Sequence, residues 1–450
     1  MRLDLTQLLH LIEEMPAYRQ LTDELKRQNG NMRAVILDAA KPYFIAALYQ
    51  SLRRPMLVVT AQPENGKKLY EQLLTWCNSA QLKLLPEPDA LPYQRIASDA
   101  STELERIQVL SALVNNEPGT DVPLVVASAP AFMQKTAQYS EFISTCHSLK
   151  LGMNIEPFHL LSQWEAMGYR MENMVEVPGT ISHRGGIVDI YPPTSNLPVR
   201  LEFFGNTIDS IRLFDPVSQR SQTAVSEIAI GPATELLTPM LSNEGDLAPV
   251  LNSLDLTDCI PEVRQQFEQE LAMLLNKQKP HDMQFYAPLF NKDSILSYLP
   301  RNALVILDEP PNIEQAVEDL DAKANELRVE KLERGELPHN FPRPYFTWDE
   351  LESGIRSRRC LVLTAFGADG ESARLNFISA PGYGGQLPSF IKKAKQLIDQ
   401  RQRLIIVSHQ ASRLSELLGE EDIIAAPLGE VGQVPPPGCL ALVQGNNLAL

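Results

Sequence analysis

Val177-Pro-Gly-Thr-Ile-Ser-His-Arg-Gly-Gly-Ile-Val-Asp-Ile-Tyr-Pro-Pro193 and, just beyond it, Pro198-Val-Arg-Leu-Glu-Phe-Phe-Gly-Asn-Thr-Ile-Asp-Ser-Ile-Arg-Leu-Phe-Asp215 decide how this chain folds. Three β-rich runs stand out: 187–191, 199–204 and 207–214. Gly205-Asn206 between the last two predicts a two-residue hairpin with φ > 0 at the first central position. That turn sets an expected register in which Phe204 faces Thr207, Glu202 faces Asp209 and Arg200 faces Ile211. The opposite side then carries Val199, Leu201, Phe203, Ile208 and Ser210, which reads as the buried face.

The outward face of this small sheet shows an arginine and a phenylalanine beside two carboxylates placed across from each other. Like charges in that position are mildly destabilising, and an exposed phenylalanine gains nothing from water. An ordinary solvated face with one stray aromatic fits these residues. So does a docking surface, since arginine beside an aromatic anchor is the composition of interface hot spots. Upstream, Pro157 at a helix start, Phe158, Leu161 and Trp164 as an apolar stripe, and Gly168 as a stop predict a helix that packs on the sheet. Arg184-Gly185-Gly186 is read as the opening of the first strand.

Gly168-Tyr-Arg, Arg184-Gly-Gly-Ile-Val-Asp-Ile-Tyr-Pro, Pro198-Val-Arg-Leu-Glu-Phe-Phe and Phe214-Asp-Pro-Val-Ser-Gln-Arg-Ser resemble, in order and spacing, the N-terminal module of the bacterial transcription-repair coupling factors. That module is itself similar to UvrB, the damage-recognition helicase subunit. In both, the small domain binds UvrA. The resemblance therefore implies UvrA as the partner, with Arg170, Arg184, Arg200, Glu202 and Phe204 at the contact. Intradomain pairing of these arginines with Glu172, Asp189 or Glu202 is the competing role. The resemblance further implies RNA polymerase and double-stranded DNA as partners of a downstream region, where ATP and magnesium would serve a motor. A chain ending at Leu450 is then expected to be a portion of a longer protein.

Composition agrees with a multi-domain globular protein. The chain has 450 residues, 44% hydrophobic and 21% charged, which predicts about three domains. A net charge of −16 argues against bulk electrostatic binding to DNA. Five scattered cysteines suit reduced cytosolic thiols, and a cytoplasmic protein without a signal peptide or membrane span is expected.

The fold class expected is α/β: a helicase-like parallel-sheet domain with a degenerate phosphate loop, interrupted by a small α+β docking domain and followed by a further small α/β domain. Boundaries are expected at 1–146 and 232–328 for the two parts of the main domain, 147–231 for the docking domain, 329–344 for a linker and 345–450 for the last domain. Met56–Thr60 and Leu124–Ser128 read as buried parallel strands with helical tracts between them. A phosphate loop belongs after the first strand and needs converging glycine N–H groups followed by Lys-Ser/Thr. Ala34-Val-Ile-Leu-Asp-Ala-Ala-Lys-Pro has no glycine there, and Pro42 lacks an N–H.

Ala303-Leu-Val-Ile-Leu-Asp-Glu ends where a helicase-type ATPase keeps its magnesium-binding and water-orienting carboxylates. Lys41, Asp308 and Glu309 thus read as a vestigial nucleotide site, with no cofactor and no enzymatic activity expected of this chain. A divergent UvrB-type ATPase is the alternative. Leu91-Pro-Tyr-Gln-Arg runs on to Thr102-Glu-Leu-Glu-Arg-Ile without room for the DNA-clamping hairpin that UvrB carries. Pro381-Gly-Tyr-Gly-Gly precedes a helix without a Lys-Ser/Thr pair and reads as a plain connection. No His-Glu-x-x-His, Cys-x-x-Cys or Gly-x-Ser-x-Gly occurs.

Overall fold

A computed structural model describes residues 3–27, 31–95, 99–114, 122–242, 244–367, 372–382 and 386–445. Tyr383–Gly385 of the glycine-rich run and the last five residues lie outside them. A seven-stranded, all-parallel sheet forms the main body, in the order 373–374, 31–35, 359–364, 304–308, 56–60, 124–128, 82–85. Met56–Thr60 and Leu124–Ser128 are buried at every position. Continuous apolar runs of this kind need helices on both faces, because alternate side chains point to opposite sides. One face packs Leu57, Val59, Val125 and Val305 into a core with Phe132, Phe267 and Tyr286. The other packs Val58, Val126, Ile306 and Leu361 with Phe44, Leu48 and Tyr18.

An inserted segment interrupts this body between the strands at 124–128 and 304–308. His147–Lys150 on the way in pairs antiparallel with Glu227–Ile230 on the way out, closing the insertion at its base. Its own six-stranded sheet runs in the order 221–224, 207–214, 199–204, 187–191, 180–184, 170–171. Helix Pro157–Ala166 covers one side with Leu160, Leu161 and Trp164 buried. Each such side chain contributes roughly 1.5–3 kcal/mol when fully buried. Glu156 caps the helix by accepting from the N–H groups of Phe158 and His159. Gly168 ends it at φ +99°, where a Cβ would come within 2.6 Å of Thr234. The Tyr169 hydroxyl donates to the Gly231 carbonyl at 2.7 Å and ties the start of the insertion to its end.

Four expectations change. Arg359–Thr364 does not belong to a separate last domain: it lies inside the main sheet between 31–35 and 304–308. Leu361 and Leu363 fill one core and Cys360 the other, so this strand needs cover on both faces. The supposed linker is also body, since Leu337 and Phe341 are each 1% exposed. The small domain begins later, with helices Leu387–Asp399 and Ala411–Gly419 on a three-stranded sheet of 404–408, 440–444 and 427–428. Lastly, Arg184-Gly185-Gly186 is a turn between two strands, Thr180–Arg184 and Ile187–Tyr191, with Gly185 at φ +61°.

Candidate functional site

Gly205 opens its hairpin at φ +59°, as the sequence requires, but the register changes two residues later. Phe204 faces Thr207, after which a bulge at Asp209 puts Ser210 opposite Glu202 and Arg212 opposite Arg200. Glu202 therefore does not confront Asp209. Its carboxylate accepts a 2.6 Å hydrogen bond from the Ser210 hydroxyl instead. The bulge resolves a conflict of period: Ile208 and Ile211 are both 1% exposed, and an unbroken strand would place them on opposite faces.

Arg200 is consumed inside the domain. Its Nε and Nη2 each meet Asp189 at 2.8 Å in a two-pronged pair, and Nη1 reaches the Gln219 carbonyl at 3.2 Å. The guanidinium also lies 4.5 Å from the centre of the Phe214 ring. Hydrogen bonding to Asp189 raises Arg200 above the ordinary arginine range. With Asp189 only 4% exposed, this is an internal brace rather than a presented charge.

Arg184 is exposed and gives one hydrogen bond to the Asn173 carbonyl. Across the strands it sits opposite Ile187, which sits opposite Glu202. Phe204 continues this face at 84% exposure and Ile187 is 37% exposed. Near the same end, Phe158 is 62% exposed and its ring meets His183 edge-on at 4.9 Å. Phe158 thus leaves the apolar stripe assigned to it. The outward face joins Arg184, Ile187, Glu202, Phe204 and Arg212 around the recessed Arg200–Asp189 pair.

Arg170 stands apart. It pairs with Thr180, four residues along the strand from Arg184, or roughly 13 Å. There it lines a cleft at the base of the domain with Lys279 and His281. Ile187 and Arg212 were not singled out from sequence, and Phe158 was assigned to the buried side of its helix instead. The Gly-Gly turn carried the signal for Ile187, because a two-residue hairpin puts residues 184 and 187 face to face.

In the main body, Lys41, Asp308 and Glu309 come together at the carboxyl ends of the parallel strands. Lys41 begins helix Lys41–Leu52, with Pro42 in its first turn and Lys41 itself 5% exposed. Its ammonium meets Asp308 at 2.6 Å, Asp38 at 2.6 Å and Glu309 at 2.9 Å. Three donors are thus matched to three carboxylates. Burial alone would push Lys41 down, but the charge of Asp308 and the bonds to Asp308, Asp38 and Glu309 raise it overall. Burial holds Asp308 above the usual aspartate range, against the pull of Lys41. Glu309 adopts a left-handed backbone at φ 54° and also accepts from the Ala365 N–H at 2.5 Å.

Among the described residues no group of three or more His, Cys, Asp or Glu side chains is placed to hold a metal. No helix among them is long and apolar enough to cross a membrane.

Residues 148–236 match the family model of the UvrB interaction domain. The chain is similar to the transcription-repair-coupling factor of Bacillus subtilis (strain 168), with 29% identity over 71% of this chain and 27% of that protein. It is similar also to that of Myxococcus xanthus, at 32% over 49% of this chain and 19% of the relative. The factor of Escherichia coli (strain K12) is 24% identical over 72% of this chain and 26% of its own length. The chain spans about a quarter of the length of these relatives.

Proposed function

From a UvrB interaction domain set in a body that resembles the transcription-repair-coupling factors, we propose that this chain is the adaptor portion of such a factor, recruiting UvrA in transcription-coupled nucleotide excision repair. The observation that carries the reading is the outward face of the inserted sheet. An arginine, an 84% exposed phenylalanine and a half-open isoleucine share that face over a rigid ion-paired base. Aromatic and arginine anchors on a pre-formed surface are what protein partners select. Arg184, Ile187, Glu202 and Phe204 make the contact, Arg200 holds the strands beneath it, and Arg170 extends the surface toward the base.

In this reading the pocket at Lys41 stays closed to nucleotide. A triphosphate would have to displace three carboxylates from one ammonium, with no run of glycine N–H groups to receive it. RNA polymerase, double-stranded DNA, ATP and magnesium belong to parts of the full protein beyond this chain, and the protein works in the cytoplasm. Calorimetric titration of the chain with UvrA tests the adaptor reading, and absence of association removes it.

The convergence of Lys41 with Asp308-Glu309 is the one observation that favours a second reading, a UvrB-type ATPase. Titration with a non-hydrolysable ATP analogue and magnesium is expected to give no saturable binding. A saturable isotherm abolished by Asp308→Ala would instead establish the ATPase reading.

A further inference from the structure

Among the described residues, the sheets of three or more strands end in six outermost strands, and five of these are guarded. Strands 373–374, 170–171 and 427–428 are two residues long, and the last begins with Pro427. Ser221–Ala224 is polar or small and exposed throughout. Leu82–Leu85 carries Lys83 and packs against helices Pro63–Leu73 and Ala100–Val114. Short length, proline and lysine are the devices by which edges avoid pairing. The sixth, Leu404-Ile-Ile-Val-Ser408 in the small domain, has five residues, no proline and no charge.

This strand pairs on one side only, in parallel with Leu440–Gln444. The Leu404 N–H donates to the Cys439 carbonyl at 3.0 Å, and the Gly445 N–H donates to the Ser408 carbonyl at 3.2 Å. Alternate residues of a parallel ladder direct their backbone groups to the same side, so 404, 406 and 408 face inward. Ile405 and Val407 therefore aim their N–H and C=O groups outward, where no other described residue bonds them. Both faces of the strand are covered. Ile406 packs with Ile391, Leu418 and Leu442, while Ile405 and Val407 pack with Leu3, Leu5 and Val431. All five residues are nevertheless half-buried, whereas Leu442 and Val443 on the paired strand are each 0% exposed. The opening is the edge itself.

We propose that this edge accepts an extended apolar segment of a partner protein as a fourth strand of the small sheet. The segment's backbone pairs with Ile405 and Val407, and its side chains extend the apolar layers on both faces. Exposed Arg401 and Arg403 stand at the start of the strand, so the segment carries a carboxylate at that end. Arg401 has no ion-pair partner among the described residues, and Arg403 reaches Glu14 only at 4.0 Å. A second copy of this chain fits poorly. Each copy carries a charge of −16, and two-fold antiparallel pairing about Ile406 sets Arg403 beside His409 rather than beside a carboxylate.

Fluorescence anisotropy of a labelled Asp-Val-Ile-Val-Ile-Asp peptide, titrated with the full chain, tests this. Saturable binding is expected, weakened when lysines replace both aspartates and lost when a proline interrupts the peptide. Val407→Pro removes an outward N–H that the fold does not use, so thermal unfolding should change little while peptide affinity falls roughly tenfold or more. In the parent chain, the Ile405 and Val407 amides should exchange more slowly with peptide bound, a readout that holds even if the variant unfolds. Absence of saturable binding, or binding that leaves those two amides unprotected, overturns the proposal. Self-association through this edge without peptide binding also overturns it, by making the occupant a second copy.

Discussion

Replacing Arg200 with methionine is expected to destabilise the inserted domain by about 3 kcal/mol, because it leaves a buried carboxylate without its partner. Asp189 is 4% exposed and receives both prongs of the guanidinium. The loss falls on the sheet that shapes the outward face, so amide exchange should accelerate along 187–191 and 199–204 while the seven-stranded body keeps its protection. Removing both charges should do less damage than removing one. Asp189→Leu combined with Arg200→Met is expected to recover most of the loss, since an apolar pair of similar volume replaces a desolvated ion pair. A stable single variant would show that the pair is solvated.

Lys41→Met is the second large effect, again about 3 kcal/mol, and it carries a pH signature. The substitution leaves Asp38, Asp308 and Glu309 around an empty centre. Asp308 already sits above the usual aspartate range through burial, and losing the ammonium raises it further. A carboxyl whose pKa is higher in the folded state than in the unfolded state binds protons preferentially when folded. Stability therefore rises as pH falls through the folded value, down to the ordinary carboxylate range. The deficit of the variant relative to the parent is expected to shrink on acidification from neutral pH toward pH ~4. Denaturant unfolding at several pH values measures it. A deficit that is constant, or that grows, would mean the carboxylates do not share one charge.

The parts that sequence reading reached are those where local rules and burial agree. Met56–Thr60 and Leu124–Ser128 are apolar throughout because both faces are covered, and they occur where expected. Pro157 and Gly168 bound their helix through a first-turn proline and a positive φ, which are properties of single residues. The bulge at Asp209 was hidden because Gly205-Asn206 fixes register only next to the turn, whereas burial of Ile208 and Ile211 fixes it farther along. The misplaced boundary has a similar cause. Arg359–Thr364 follows a proline-rich stretch that looks like a linker, and only the pairing with 31–35, more than 300 residues earlier, shows where it belongs.

The candidate site was legible in outline. Lys41, Asp308 and Glu309 were chosen for motif position alone, and the body gathers them within hydrogen-bonding distance. The fate of Lys41 was not visible, because Asp38 had no motif to draw attention to it. Arg200 and Asp189 illustrate the same limit. Both stand out in the sequence, yet whether an arginine is presented or consumed depends on what lies opposite it on the neighbouring strand.

UvrA affinity of the Arg184→Ala, Phe204→Ala double variant, measured by calorimetry beside the parent chain, tests the docking face most directly. Neither residue is buried, so thermal unfolding should be unchanged while affinity falls at least tenfold, or about 1.4 kcal/mol. Undiminished affinity in a variant that unfolds like its parent would contradict the assignment of this face to UvrA.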